Sequence, residues 1–304
     1  MSANRPAAEA SPTGRRYRER MAFDGEHVLW ESRPRLRNPI VIAAFEGWND
    51  AGDAATGAAE FLRDRWDARP FAEIDPEEFY DFTTTRPRVR LNAELEREIE
   101  WPRNEVYAAA VPGVERDVVL IIGTEPQLRW RTFCEQVLAI AEQTGANLIL
   151  TLGALLAEVA HSRPVSVIGT ATDPDVIETM DLQRSSYQGP TGIVGVLQDL
   201  CFRNGVPSAS LWAAVPTYVP NAPSPKAALA LVERTTDLLE VGVTTTDLEV
   251  EAASYERQVS EVVESDEETA DYVRSLEERY DDGDEPEDPA SLVEEIERFL
   301  RDEN

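Results

Sequence analysis

Lysine appears once, at Lys226, and histidine and cysteine twice each in 304 residues. Two histidines leave too few ligands for a His-based zinc site. The two cysteines, Cys134 and Cys201, form no CxxC pair and fall in segments of helical periodicity. They read as buried free thiols of a cytosolic protein rather than a disulfide framework. No apolar run approaches the roughly 20 residues of a membrane span, and no apolar h-region follows the N-terminal arginines. Neither a membrane segment nor a signal peptide is expected, and the chain reads as cytoplasmic. Basic residues are outnumbered two to one, 29 against 58, for a formal charge of −29. Such a surface repels nucleic acid and anionic membranes, so neither is an expected partner. GxGxxG, P-loop, HExxH and GxSxG signatures are all missing, so no cofactor, metal or catalytic set is expected.

The acidity is uneven. From Asp247 to Asn304 there are 23 acidic and 5 basic residues, a net of −18. Residues 1–22, rich in Pro, Ala, Ser and Arg without periodicity, read as a disordered arm. Residues 23–245 read as the core domain, 246–280 as a helical extension, and 281–304 as an acidic tail. Leu292, Ile296, Phe299 and Leu300 give that tail one short amphipathic helix.

Within the core, Ile40–Phe45, Val106–Val111, Val118–Ile122, Leu148–Leu152, Val165–Thr170 and Ser210–Ala214 are apolar runs of strand length. Continuous apolar runs suit strands buried on both faces. Phe79–Phe82 and Val89–Leu91 read as two further short strands. Helices are predicted over 51–66, 130–144 and 193–203, and from Pro225 with Ser224 as N-cap and proline at N1. The alternation predicts a three-layer α/β/α sandwich around a mainly parallel or mixed sheet. In the extension, Thr246–Glu249 fits a capping box. Leu248, Ala252, Tyr255, Val259 and Val262 make an apolar stripe, resumed by Val273, Leu276 and Tyr280. This helical pair must cover a surface, either its own core or a neighbouring subunit.

Three glycine-centred turns follow apolar strands, where ligands and partners of open α/β sheets usually meet the chain. Trp48, Asn49 and Asp50 sit between Gly47 and Gly52, as a recognition loop or as helix caps with a packing plug. Glu125, in Gly123–Pro126, is an acid, base or anchor if Asp50 lies beside it, and otherwise a turn residue. Tyr187 and Thr191 flank Gly189–Gly192, where helix N–H groups can hold an anion or the glycines simply allow close packing. His161 reads as a general base at the sheet edge or as a turn histidine.

The same turns, with Thr85-Arg86-Pro87, Leu152–Leu156 and Ala213–Pro216, resemble the bacterial branch of the proteasome assembly chaperone 2 family over roughly residues 25 to 280. The resemblance implies a phosphorylase/hydrolase-like α/β/α fold, self-association as a homo-oligomer, often a trimer, and the proteasome core particle or another protein as partner. Some relatives dock through a hydrophobic-tyrosine-any C-terminal tail; Arg301-Asp302-Glu303-Asn304 lacks it. A protein-interaction factor without enzymatic activity is the expected function. The alternative is an enzyme or binder of a nucleoside- or peptide-type ligand in a cleft at the strand ends.

Overall fold

The strand Ile40–Glu46 (β2) explains the architecture. Ile40, Ile42 and Ala44 point into one apolar core, and Val41, Ala43 and Phe45 into another on the opposite face. A strand buried on both sides needs a layer of helices over each, since each core side chain contributes about 1.5–3 kcal/mol only when covered. The computed structural model describes residues 23–283 except Asp24, Ala93, Glu94, Pro112 and Ser186. The disordered arm expected over 1–22 and the short helix expected at Leu292–Leu300 lie outside the described residues.

Nine strands form one sheet in the order β1-β3-β6-β7-β2-β8-β11-β9-β10. They are β1 (Val28–Trp30), β2, β3 (Arg69–Ile74), β6 (Asn104–Ala110), β7 (Asp117–Thr124), β8 (Ile149–Ala157), β9 (Val167–Ala171), β10 (Gln183–Arg184) and β11 (Ser208–Pro216). The central β7, β2, β8 and β11 are parallel. Antiparallel pairing of β1, β3 and β6 at one side, and of β9 on β11 at the other, makes the sheet mixed. β4 (Arg88–Leu91) and β5 (Arg97–Glu100) form a separate two-stranded ribbon.

Helices α1 (Ala54–Arg65) and α5 (Pro225–Leu239) cover the face holding Ile40 and Leu120, and α2 (Trp130–Thr144) and α4 (Ile193–Asn204) the face holding Val41 and Ile121. A short helix, α3 (Pro174–Met180), follows β9. Two more, α6 (Thr246–Glu264) and α7 (Glu267–Asp281), complete the described chain. Ser224 caps α5 as expected, accepting from the Ala227 amide with Pro225 in the first turn. The extension covers its own chain: Leu248 joins the main core, and Tyr255, Val259, Val263 and Val273 pack with Tyr218, Val219 and Ala222. Among the described residues no helix is long and apolar enough to cross a membrane.

Several local expectations need correction. Phe79–Phe82 is not a strand. Asp75 caps a 3₁₀ turn at Pro76–Glu78, and Phe79 drops its ring onto Phe133, centroids 5.4 Å apart. The first helix begins at Ala54, because Gly52 and Asp53 adopt left-handed backbone at φ 60° and 50°. The capping box does not form: Thr245, not Thr246, precedes α6, its side chain accepts no backbone amide, and its hydroxyl instead donates to the Glu249 carboxylate at 2.6 Å. The α6 stripe ends on Val263, with Val262 62% exposed, because a 3.6-residue period drifts off alternating steps of four and three. The strands at 152 and 214 run on to Ala157 and Pro216, and that at 165 begins at Val167.

Candidate functional site

The parallel strands all end on one side, and their loops converge there. The turn after β2 brings Asn49 to the turn after β7: Asn49 Nδ2 donates to Glu125 Oε1 at 2.7 Å. The same oxygen accepts the Ile193 amide, in the first turn of α4, at 2.7 Å. The Glu125 amide donates to the Glu46 carbonyl at 2.8 Å, and the Ala154 amide, on β8, to the Asn49 carbonyl at 2.8 Å. One carboxylate thus ties three loops that lie far apart in sequence. Its negative charge faces a helix N-terminus, where the unpaired amides and the macrodipole favour an anion. Gly192 is needed for this approach, since a Cβ there would stand 2.2 Å from Asn49 Nδ2.

Asp50 works separately. It accepts from the Ala55 amide at 2.6 Å, from the Thr56 amide and from the Thr56 hydroxyl, capping α1 across the 3₁₀ turn. Burial pushes its carboxyl up to about 6, although the hydrogen bonds from Thr56 and Ala55 pull the other way. The neighbouring charge that raises it further is Asp53, not Glu125. The two carboxylates do not form a coupled pair.

Above this floor lies a cavity of about 970 Å³. Trp48, Asn49, Asp50, Tyr187 and Thr191 line it, with Trp212 of β11 at its wall. Trp48 is 50% exposed, and Tyr187 donates to the Pro190 carbonyl at 2.6 Å. Five of the six residues singled out from the sequence therefore share a cavity, while Glu125 lies behind it as its fastening. Of the two readings of the Gly189–Gly192 turn, close packing holds at Gly192, and the helix N-terminus takes the chain's own carboxylate.

His161 is buried and far more engaged than a turn histidine. Nδ1 meets the Tyr218 hydroxyl at 2.8 Å and Nε2 the Ser260 hydroxyl, on α6, at 2.9 Å. Lys226, the chain's one lysine, donates to the His161 carbonyl at 2.6 Å and pairs with Glu256 of α6. Burial and the nearby Lys226 ammonium lower the imidazole pKa, against Glu256 and Glu277. The sequence signal for this clasp is a lone lysine at the head of a helix, which spacing alone cannot connect to a histidine 65 residues earlier.

Both thiols are free and buried; burial drives Cys134 up and Cys201 to about 12, so neither offers a thiolate near neutrality. Among the described residues no group of three or more His, Cys, Asp and Glu side chains could hold a metal.

The molecule is similar to several solved structures. A PAC2 family protein of Streptomyces avermitilis is 47% identical, with a TM-score of 0.73 over 77% of this chain and 99% of its own. A proteasome-assembly chaperone homologue of Mycobacterium tuberculosis is 45% identical, with a TM-score of 0.70 over 77% of this chain and 99% of its own. A second M. tuberculosis protein, of unknown function, is 26% identical with a TM-score of 0.78 and spans 98% of both chains. The PAC2 family model matches residues 44–263. With more than half its length matched, the chain belongs to the PAC2 family.

Proposed function

We propose that this chain is a cytoplasmic, self-associating protein-interaction factor that acts without catalysis in proteasome assembly. The observation that carries the reading is how the rim spends its polar groups. Asp50 and Glu125 are both turned onto backbone amides, whereas Trp48 stands 50% exposed at the cavity mouth and Phe202, also on the cavity wall, is 52% exposed. Half-exposed aromatics beside a concave surface are the kind of anchor that dominates protein interfaces. The 45% identity to a proteasome-assembly chaperone homologue supports the choice of partner. In this reading residues 23–245 form the working domain, α6 and α7 cap the subunit, and the acidic segment from 281 extends the interacting surface.

The test is native affinity capture of the full chain, with the bound proteins identified by mass spectrometry and the mass of the free chain measured in solution. Stoichiometric recovery of proteasome core subunits and a trimer-sized particle are expected. Repeated captures that contain no core subunit would sink the partner assignment, and a monomeric mass would sink self-association.

A second reading has its own observation: about 970 Å³ lies within the range of roughly 300–1,000 Å³ typical of small-molecule sites. Here Trp48, Trp212 and Tyr187 would enclose a flat nucleoside- or peptide-type ligand. A thermal-shift screen addresses it directly, because a ligand of the folded state raises the melting temperature.

A further inference from the structure

A second hollow, of about 580 Å³, opens on the other side of the Glu46–Glu125 crossing. Its floor is Gly123 and Thr124, and the β4–β5 ribbon forms one wall. The ribbon alternates with period two. Arg88, Arg90 and Glu100 line the hollow, while Val89, Leu91 and Ile99 on the opposite face are 49%, 61% and 56% exposed. A free ribbon would shed its charged face to water and bury its apolar one. Here the charged face is the one held over the cavity.

The charges do not cancel. Arg63, Arg86, Arg88, Arg90 and Arg103 line the hollow, five cations. Glu46, Glu60, Glu100 and Glu105 supply four anions, leaving a net of +1 within a chain of −29. Three arginines are satisfied internally: Arg63 by Glu60 at 3.5 Å and by Asp64, Arg90 by Glu100 at 2.6 Å, and Arg103 by Glu105 at 3.4 Å. Arg86 and Arg88 form no ion pair among the described residues. Asp81 feels the Arg86 charge, but Thr83 and Thr84 already donate to its oxygens. Thr84 and Thr85 also line the hollow, and Trp101 beside them is 44% exposed, its ring 4.8 Å from that of Phe82.

We propose that this hollow is a carboxylate-binding site, in which Arg86 and Arg88 grip a single carboxylate and Trp101 packs against the apolar group that carries it. Guanidinium forks match a carboxylate in two-point geometry. The charge count selects a monoanion. One carboxylate brings the lining to zero, whereas a di- or triphosphate would set several negative charges against four glutamates. A peptide C-terminus and a free small acid offer the same carboxylate. The Trp101 platform favours the peptide end, whose last side chain has a ring to lie on.

The experiment follows the arginine Nε–H signals of the ¹⁵N-labelled full chain by NMR, with the Arg86 and Arg88 signals assigned by substitution. The probes are N-acetylphenylalanine, its amide, benzoate, inorganic phosphate and ADP. N-acetylphenylalanine should shift both signals saturably, and the amide should shift neither. The double variant Arg86→Gln, Arg88→Gln should bind it at least tenfold more weakly while melting at the parent temperature, since both side chains are exposed. Benzoate binding tenfold more weakly than N-acetylphenylalanine supports a peptide end; equal or tighter binding keeps the carboxylate site but assigns it to a free acid. Equal shifts from the amide, unchanged affinity in the double variant, or tighter binding of phosphate or ADP would each overturn the proposal.

Discussion

Replacing Glu125 by alanine removes the one acceptor shared by three loops. Asn49 Nδ2 and the Ile193 amide each lose a 2.7 Å partner, and Asn49, only 2% exposed, cannot turn to water instead. Hydrogen bonds to a charged group contribute about 1.5–3 kcal/mol each, and the helix end adds about 0.5 kcal/mol. Because Glu125 itself is only half-buried, water replaces part of the loss, and about 3 kcal/mol is the expected cost. For a chain of this size that lowers the melting temperature by about 5 °C. Glu125→Gln keeps an oxygen at the same reach but forfeits the charge, and should cost roughly half as much. Differential scanning calorimetry of the parent and the two variants decides the matter. A Glu125→Ala protein melting within a degree of the parent would mean that the loops hold one another by packing alone.

Three further outcomes are expected. Asp50 has a folded-state pKa of about 6 against an ordinary 3.8, so its ionised form opposes folding above pH 6 and relents as the pH falls toward 4. Relative to Asp50→Asn, the parent should therefore gain about 2 kcal/mol between pH 7 and pH 4 in urea titrations, and a constant difference would refute the burial argument. His161 behaves oppositely: its folded pKa lies below the ordinary 6.5, so the unfolded chain takes the proton first and the stability it contributes drains away as the pH falls below that value. In His161→Gln the protease resistance of α6 should lose that acid sensitivity; retention of the full pH profile would place the sensitivity elsewhere. Gly153→Ala would set a methyl 2.5 Å from the Trp212 ring on the adjoining strand, at an expected cost of about 1–3 kcal/mol measured by chemical denaturation, and a neutral result would show that the ring can swing clear.

The central strands were legible because their sequences carry the signal of two buried faces. In Ile40–Phe45 and Val118–Ile122 alternate residues serve opposite cores, so no polar position interrupts either run. The peripheral strands carry no such mark. β3 reads Arg-Pro-Phe-Ala-Glu-Ile with an irregular register at Pro70, and β5 reads Arg-Glu-Ile-Glu in a ribbon with no core of its own. Phe79–Phe82 misleads for the converse reason, since Phe79 is buried against Phe133 of α2 rather than by joining the sheet. At the rim, the glycine turns after apolar strands mark the segments whose residues line the larger cavity. They could not say that Glu125 answers Asn49 across 76 residues and Ile193 across 68. Hydrogen-bond partners at such separations are products of the fold and leave no periodicity to read.

The crossing that Glu125 fastens also divides the rim in two. Glu46 and Thr124 face the arginine-lined hollow, and Gly47 and Asn49, next along the same turns, face the larger cavity. The dividing wall is a backbone hydrogen bond from Glu125 to Glu46 and one from Thr124 to Glu46 by way of its hydroxyl at 3.1 Å. Two sites that share a wall respond differently to different losses. Removing Arg86 and Arg88 takes away charge on one side and leaves the wall intact, so only carboxylate binding should fall. Removing the Glu125 carboxylate leaves both bonds of the wall in place but frees Asn49 and the Ile193 amide, so binding in the larger cavity should weaken along with the melting temperature. A Glu125→Ala protein should therefore keep full affinity for N-acetylphenylalanine while losing about 3 kcal/mol of stability, and a matching loss of carboxylate binding would show that the brace reaches across the wall.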